Sequence, residues 1–312
     1  MESTVFLVLF TIASTILFVP FLVFFVSLEC LNSHFGRVLL WQWVGVAIPH
    51  LIQVVPVVAA DTYGMCIFNY ATKYQLQGDN TAEDNVGDQK LPKMIALTID
   101  DCPGDSVEHM LALLQVLKES HAQATFFCTT NYISQNPKMN RVMKLLLADG
   151  HELGNHMPED RPYDCDSGEA FEKLLQVSEG VLFNLDSVPV HKRFFRPPGG
   201  KLSNAMVKVL EAKGYRGIAM GDVYSNDAFV GASLLPIDHQ CVEYHVEFIR
   251  KYSQPGSVVV CHVPNYDRRR QVLPVLHQVL SRWKAENTFT TVSLGHMEDL
   301  IIEEKMKPSR RT

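Results

Sequence analysis

The chain predicts an α/β domain, a parallel sheet wrapped by helices and either open or closed into an irregular barrel, with a membrane-anchoring helical region ahead of it. Three observations carry this expectation. From Leu91 onward, short apolar runs alternate with segments of helical spacing, the joints between them are short, and a charge-free stretch precedes them all. With 312 residues, 47% of them apolar, there is room for one large α/β domain and an appendage, whereas two full enzyme domains would be cramped.

The appendage comes first. Val5 to Leu28 carries no charge and, at ~1.5 Å per helical residue, is long enough for a ~30 Å hydrocarbon core. A cleaved signal peptide has a basic start and a shorter apolar region; here only Glu2 precedes the run, so an uncleaved anchor is expected. A second apolar stretch, Val38 to Ala60, contains Gln42, Pro49, His50, Gln53 and Pro56. It reads as a second, kinked span, a re-entrant piece, or an interfacial helix with Trp41 and Trp43 at headgroup level. One span and two spans place the C-terminal domain on opposite sides of the bilayer, and Arg37 alone gives the positive-inside rule little to act on. Thr72 to Lys90 is polar, as a linker would be. The expected organisation is an anchor over 1–62, a linker over 63–90, a soluble domain over 91–303 and a tail over 304–312.

Within the domain, seven apolar runs read as strands: Met94 to Ile99, Ala124 to Cys128, His151 to Gly154, Arg193 to Arg196, Gly217 to Met220, Ser257 to His262 and Phe289 to Leu294. Helical spacing fills the intervals at Val107 to Glu119, Met139 to Ala148, Phe171 to Leu185, Asn204 to Lys213, Val242 to Tyr252 and Pro274 to Trp283. In such folds chemistry gathers at the C-terminal ends of the strands. Five polar segments fall there.

The first is Asp100-Asp101, before Cys102-Pro103. Two adjacent carboxylates on a regular strand face opposite ways, but at a bend one can hold a cation while its neighbour faces the water on that cation. Otherwise, one of them caps the helix after Pro103. In the second segment His156 and Asp160 stand four apart, so a turn of backbone would set an imidazole and a carboxylate on one side, with Asp101 as a third ligand. The third runs from Arg193 to Gly200. Arg196 is placed to hold a neighbouring carboxylate ionised, and the rigid Pro197-Pro198-Gly199-Gly200 turn can aim backbone N–H groups at an oxyanion. The fourth and fifth supply His262 as a general acid, with Asp222 or Asp227 to hold its ring.

The ordered set Thr-Ile-Asp-Asp-Cys-Pro, His-x-x-x-Asp, Arg-Pro-Pro-Gly-Gly, Asp-x-x-Ser-x-Asp and Val-x-His resembles the NodB-like polysaccharide deacetylases, carbohydrate esterase family 4, over roughly Lys93 to Leu300. The resemblance implies a distorted (β/α) barrel of about seven strands and hydrolysis of the N-acetyl amide of an N-acetylglucosamine glycan such as chitin or a chitooligosaccharide. It also implies a divalent metal, usually zinc, with manganese, iron or cobalt as alternatives. Carried over, Asp100 looks like the general base, Arg196 its partner, Asp101 and His156 metal ligands, Asp227 the carboxylate that tunes His262, and His262 the general acid. Gly199 and Pro198 stand on the oxyanion side.

Four positions depart from that family's pattern. Asp160 replaces a second metal histidine, keeping a ligand but adding negative charge. Cys102 stands where a glycine is usual and is expected to pack. Gly199 replaces a tyrosine, and Ala228 a tryptophan of the acetyl pocket. Rival readings are hydrolysis of another non-peptide C–N bond, or a membrane-tethered glycan binder with little catalysis.

A net charge of −6 with scattered Lys and Arg offers no footprint for nucleic acid, and the Arg268-Arg269-Arg270 run reads as a solvated helix start. The expected partners are therefore a glycan and, through the N-terminal segment, a lipid bilayer. Seven cysteines, an odd number, look like buried thiols, with Cys165 and Cys241 able to pair in an oxidising lumen. The absence of any Asn-x-Ser/Thr acceptor tells slightly against a glycosylated lumenal placement. A secretory-pathway or plasma-membrane location with the domain outside the cytoplasm is still expected, because glycans of this type lie beyond the membrane.

Overall fold

Alternation along the longest strand explains the architecture. In the computed structural model, which describes residues 66–67, 70, 93–225, 227, 239–265 and 269–306, strand β2 (Met94–Cys102) is buried along its whole length. Its odd residues Ile95, Leu97 and Ile99 join one apolar cluster and its even residues Met94 and Ala96 another. The first cluster lies between sheet and helices. The second draws Ile67, Phe127, Phe194, Ala219, Val258 and Val292 from strands all around the sheet, so it fills the interior. Thr98 and Asp100 continue the even series upward, and the interior turns from apolar to polar toward the C-terminal ends of the strands.

Among the described residues, nine strands form one parallel sheet: β1 (Cys66–Ile67), β2, β3 (Thr125–Cys128), β4 (Glu152–Asn155), β5 (Phe194–Phe195), β6 (Gly217–Ala219), β7 (Val223–Tyr224), β8 (Val258–His262) and β9 (Thr290–Val292). The order is β1-β6-β5-β4-β3-β2-β8-β7, and β9 pairs with the first residues of β2. β6 and β7 lie near opposite ends of this order, yet only Met220, Gly221 and Asp222 separate them, so the sheet must curl until its ends nearly meet. Met220 and Gly221 donate their N–H groups to Ile67 O, and Asp222 donates its own to Val258 O. This is a distorted barrel, with two strands more than the sequence shows. β1 and β7 have two residues each, too short for any periodic signal.

The seam demands a glycine. Gly221 has φ +90°, and a Cβ there would sit 2.4 Å from Val260 Cγ2. Gly221→Ala is expected to cost about 2–4 kcal/mol, combining overpacking with left-handed strain. Urea unfolding followed by circular dichroism measures it, and a loss below ~0.5 kcal/mol would show that the seam yields.

Eight helices complete the described domain: α1 (Val107–Glu119), α2 (Thr130–Gln135), α3 (Pro137–Ala148), α4 (Gly168–Asp186), α5 (Asn204–Ala212), α6 (His239–Tyr252), α7 (Val272–Glu286) and α8 (Leu294–Met306). α2 and α8 lie outside the segments that periodicity marks. The cap of α1 is Ser106, whose hydroxyl accepts the His109 N–H, so neither Asp100 nor Asp101 serves as the cap of that helix.

Two expectations are corrected. Cys66 and Ile67, inside the 63–90 stretch read as linker, pair with β6, and Tyr70 donates its N–H to Gly256 O. Cys165 is exposed and Cys241 buried, and no disulfide joins the two. The membrane-span expectations for 5–28 and 38–60, and the tail beyond Met306, lie outside the described residues. Among the described residues no helix is long and apolar enough to cross a membrane.

Candidate active site

A β-bulge creates the site. Between Ile99 and Cys102 on β2 the register against β3 advances three residues while Phe126 to Cys128 advances two, so β2 carries one extra residue at Asp100-Asp101. Asp101 takes φ +60°, a left-handed conformation that a short polar side chain tolerates better than most. The bulge is the bend that two adjacent carboxylates require, and both face the site.

Asp100 is held from below. Arg196, 3% exposed, donates from Nη1 to Asp100 Oδ1 at 2.6 Å and to Thr98 Oγ1 at 2.7 Å, and from Nε to Ala219 O at 2.6 Å. Its guanidinium carbon lies 4.2 Å from the centre of the Phe127 ring. A buried arginine with these acceptors keeps one geometry, and so does the carboxylate it holds.

Asp101, His156 and Asp160 meet above. Their ligand atoms lie within 4.8 Å of one another, the one such group of three among the described residues. His156 Nδ1–H donates to Arg196 O at 2.8 Å, which fixes the tautomer and leaves the Nε2 lone pair facing Asp101 Oδ1 at 3.7 Å. Asp101 Oδ1 is buried and has no hydrogen-bond partner. A buried carboxylate oxygen without a donor, beside an imidazole lone pair and a second carboxylate, is an unbalanced arrangement that a divalent cation balances, so these residues fit one. His156 and Asp160 do not share a helical turn. Met157 has φ +67°, and the loop is pinned by Thr130 N–H to Met157 O and Asn131 N–H to Pro158 O.

Opposite, His262 and Asp227 pair. His262 on β8 is the register partner of Asp100 on β2. Its Nδ1–H donates to Asp227 Oδ1 at 2.7 Å and its backbone N–H to Oδ2 at 2.8 Å. Asp222, the other candidate, instead accepts Val258 N–H and Ser257 Oγ–H at the seam. Burial alone would lower the His262 pKa, but the Asp227 carboxylate outweighs it and raises the ring to about 9. Burial would likewise raise Asp227, and the His262 charge and two hydrogen bonds instead hold it well below the ordinary carboxylate range.

The remaining expected residues sit at the rim. Pro198 is buried and Gly199 exposed in the turn after β5; Gly199 has φ +64°, and a Cβ there would meet only Pro162 Cγ at 3.9 Å. Cys102 packs, as expected, its sulfur 3.9 Å from Met143 Sδ, and burial pushes its thiol pKa up. Ala228 lies outside the described residues.

One residue escapes the sequence reading. Arg269 is no solvated residue: its side chain is 15% exposed, and its Nη1 donates to Asp101 Oδ2. Burial would raise the Asp101 pKa, but His156, His262 and Arg269 together hold it below its ordinary value. Burial and the Asp101 charge raise Asp160. The middle of an Arg-Arg-Arg run gives no periodic or motif signal that would have singled Arg269 out.

The polysaccharide deacetylase family model matches residues 87–218, from before β2 to the middle of β6. Over these residues the domain is similar to the polysaccharide deacetylase family. It is 29% identical over 202 residues to a peptidoglycan-N-acetylglucosamine deacetylase of Bacillus cereus, covering 64% of this chain and 87% of that protein. It is 27% identical over 170 residues to a chitooligosaccharide deacetylase of Azorhizobium caulinodans, covering 54% and 72%. The crystal structure of the Bc1960 peptidoglycan N-acetylglucosamine deacetylase superposes with a TM-score of 0.59 at 20% identity, covering 78% of this chain and 96% of that one. This last likeness is one of fold.

Proposed function

We propose that this domain hydrolyses the N-acetyl amide of N-acetylglucosamine units in a chitin- or chitooligosaccharide-like glycan, releasing acetate and leaving a free amine. The observation that carries this reading is the flanking of one three-ligand cluster by two separately held proton-transfer groups, Asp100 on Arg196 and His262 on Asp227.

Asp101, His156 and Asp160 would hold the divalent ion, zinc or else manganese, iron or cobalt. When bound, the ion supplies a Lewis acid for the acetamide carbonyl and for the attacking water. Asp100 takes the proton that the water loses as its oxygen bonds to the carbonyl carbon. With Oδ1 engaged by Arg196, Oδ2 is the atom free to receive it. The Gly199 N–H, beside Pro198, would be the backbone donor to the developing oxyanion. As the C–N bond breaks, His262 delivers a proton to the leaving amine from Nε2, because Asp227 occupies Nδ1. The charge-free run Val5 to Leu28 supports a membrane-tethered placement with the domain outside the cytoplasm, where such glycans lie.

The test is acetate release by the purified full-length chain. Chitooligosaccharides and peptidoglycan fragments are compared with small amides and cyclic imides, before and after chelation and with zinc or manganese returned. Release from an N-acetylated glycan, lost on chelation and restored by the ion, is expected. Turnover confined to small amides would move the domain to another C–N hydrolase reaction. Glycan binding without any acetate would make it a binding module.

A further inference from the structure

Both aspartates of the bulge have an arginine, and the two arginines do different work. Arg196 is enclosed and serves three acceptors. Arg193, another buried arginine, is spread over Leu153 O, Val188 O and the Asp186 carboxylate. Arg269 differs from both in what it serves. Its Nη1 donates to Asp101 Oδ2, and its Nε, like Arg196 Nη2, is buried without an acceptor among the described residues, so its side-chain bond goes to the ligand cluster and not to scaffold carbonyls. The Asn265 side chain accepts the Arg269 N–H at 3.0 Å, tying Arg269 to the end of β8 and delivering it to the site ahead of α7.

The charges give this placement a meaning. The ligand set Asp101, His156 and Asp160 contains two carboxylates, which together cancel a divalent ion. Asp101 offers Oδ1 toward His156 and has Oδ2 taken by Arg269, so one carboxylate is shared between the ligand cluster and a permanent cation. We propose that Arg269 is a positioning and charge-balancing residue of the cation site: it aims Asp101 and returns one positive charge, weakening the hold on the ion and keeping the site electrophilic. This rests on the cation-site reading above and extends it to a residue outside the five motifs.

Two effects of removing Arg269 oppose each other. Loss of an outer-shell partner loosens a ligand and weakens metal binding by about 10- to 100-fold. Loss of a positive charge that shares a carboxylate with a divalent ion removes a repulsion between the two cations at close range in a half-buried site, where it is poorly screened. The repulsion dominates, so affinity should rise.

The experiment uses the full-length chain, stripped with chelator and titrated with zinc and manganese against a competing indicator. Arg269→Gln is expected to bind zinc about tenfold tighter, with lower kcat and little change in KM. Arg269→Lys, which keeps charge but loses the fork, is expected to stay close to wild type in affinity. Circular dichroism confirms that each variant is folded. Unchanged or weaker zinc binding in folded Arg269→Gln, with wild type binding normally, overturns this proposal alone. Failure of every form to bind an ion overturns the cation-site reading as well.

Discussion

Asp100→Asn is expected to abolish deacetylation, with kcat/KM reduced by about 10³-fold or more, while the protein remains folded and still binds its divalent ion. The substitution is nearly isosteric. An amide oxygen at the Oδ1 position can still accept from Arg196 Nη1, which now bonds at 2.6 Å, so the arginine keeps an acceptor and the strand end keeps its shape. What is lost is the capacity to take a proton at Oδ2. Asp101, His156 and Asp160 are untouched, and metal content should be unchanged. Removing the charge beside the buried Arg196 costs some stability, but less than deleting the side chain, because the hydrogen bond survives. Turnover, bound metal and melting temperature are measured together. Near-normal turnover would remove Asp100 from the role of base, whereas loss of metal and activity together would show that it belongs to the ligand set.

Much of this architecture is legible in the sequence because long features announce themselves. β2 buries both faces and its first part, Met94 to Ile99, reads as an apolar run broken only by Thr98, and α1 is bounded as its periodicity suggests. The Asp100-Asp101 pair signals a bend because a regular strand cannot aim both side chains one way, and the bulge is that bend. The features that stay hidden are of two kinds. β1 and β7 are two-residue strands that exist only because the barrel closes around them, and a domain cut at Leu91 would remove β1 from its pairing with β6. Arg269 and the division of labour between Asp222 and Asp227 depend on contacts across strands and helices. Local sequence offers two equivalent aspartates and three equivalent arginines; the family resemblance singles out Asp227, but only the tertiary fold singles out Arg269. The spacing of His156 and Asp160 suggests a helical turn, yet they meet through a loop with a left-handed residue; a spacing of four permits proximity without dictating how it arises.

The second large effect concerns the proton that His262 delivers. In chelated protein, NMR titration of the His262 ring is expected to give a pKa of about 9, and Asp227→Asn is expected to bring it below ~6.5. Two opposing influences act on the ring. Burial favours the neutral form and the Asp227 carboxylate favours the charged one; once the carboxylate is gone, burial acts unopposed. The sign for stability comes from the same shift. Because the folded pKa lies above the ordinary ~6.5, the pair's contribution through His262 is complete below that value and is lost as pH rises through about 9. Wild-type melting temperature should therefore fall across that window, and the variant's should not. For catalysis, a ring that is neutral at pH 7 cannot donate to the leaving amine, so Asp227→Asn should lose about 10²-fold or more in kcat at neutral pH and recover part of it at lower pH. An unmoved His262 titration would mean that Asp227 only orients the ring through its two hydrogen bonds, and an unmoved rate would assign the leaving-group proton to another donor.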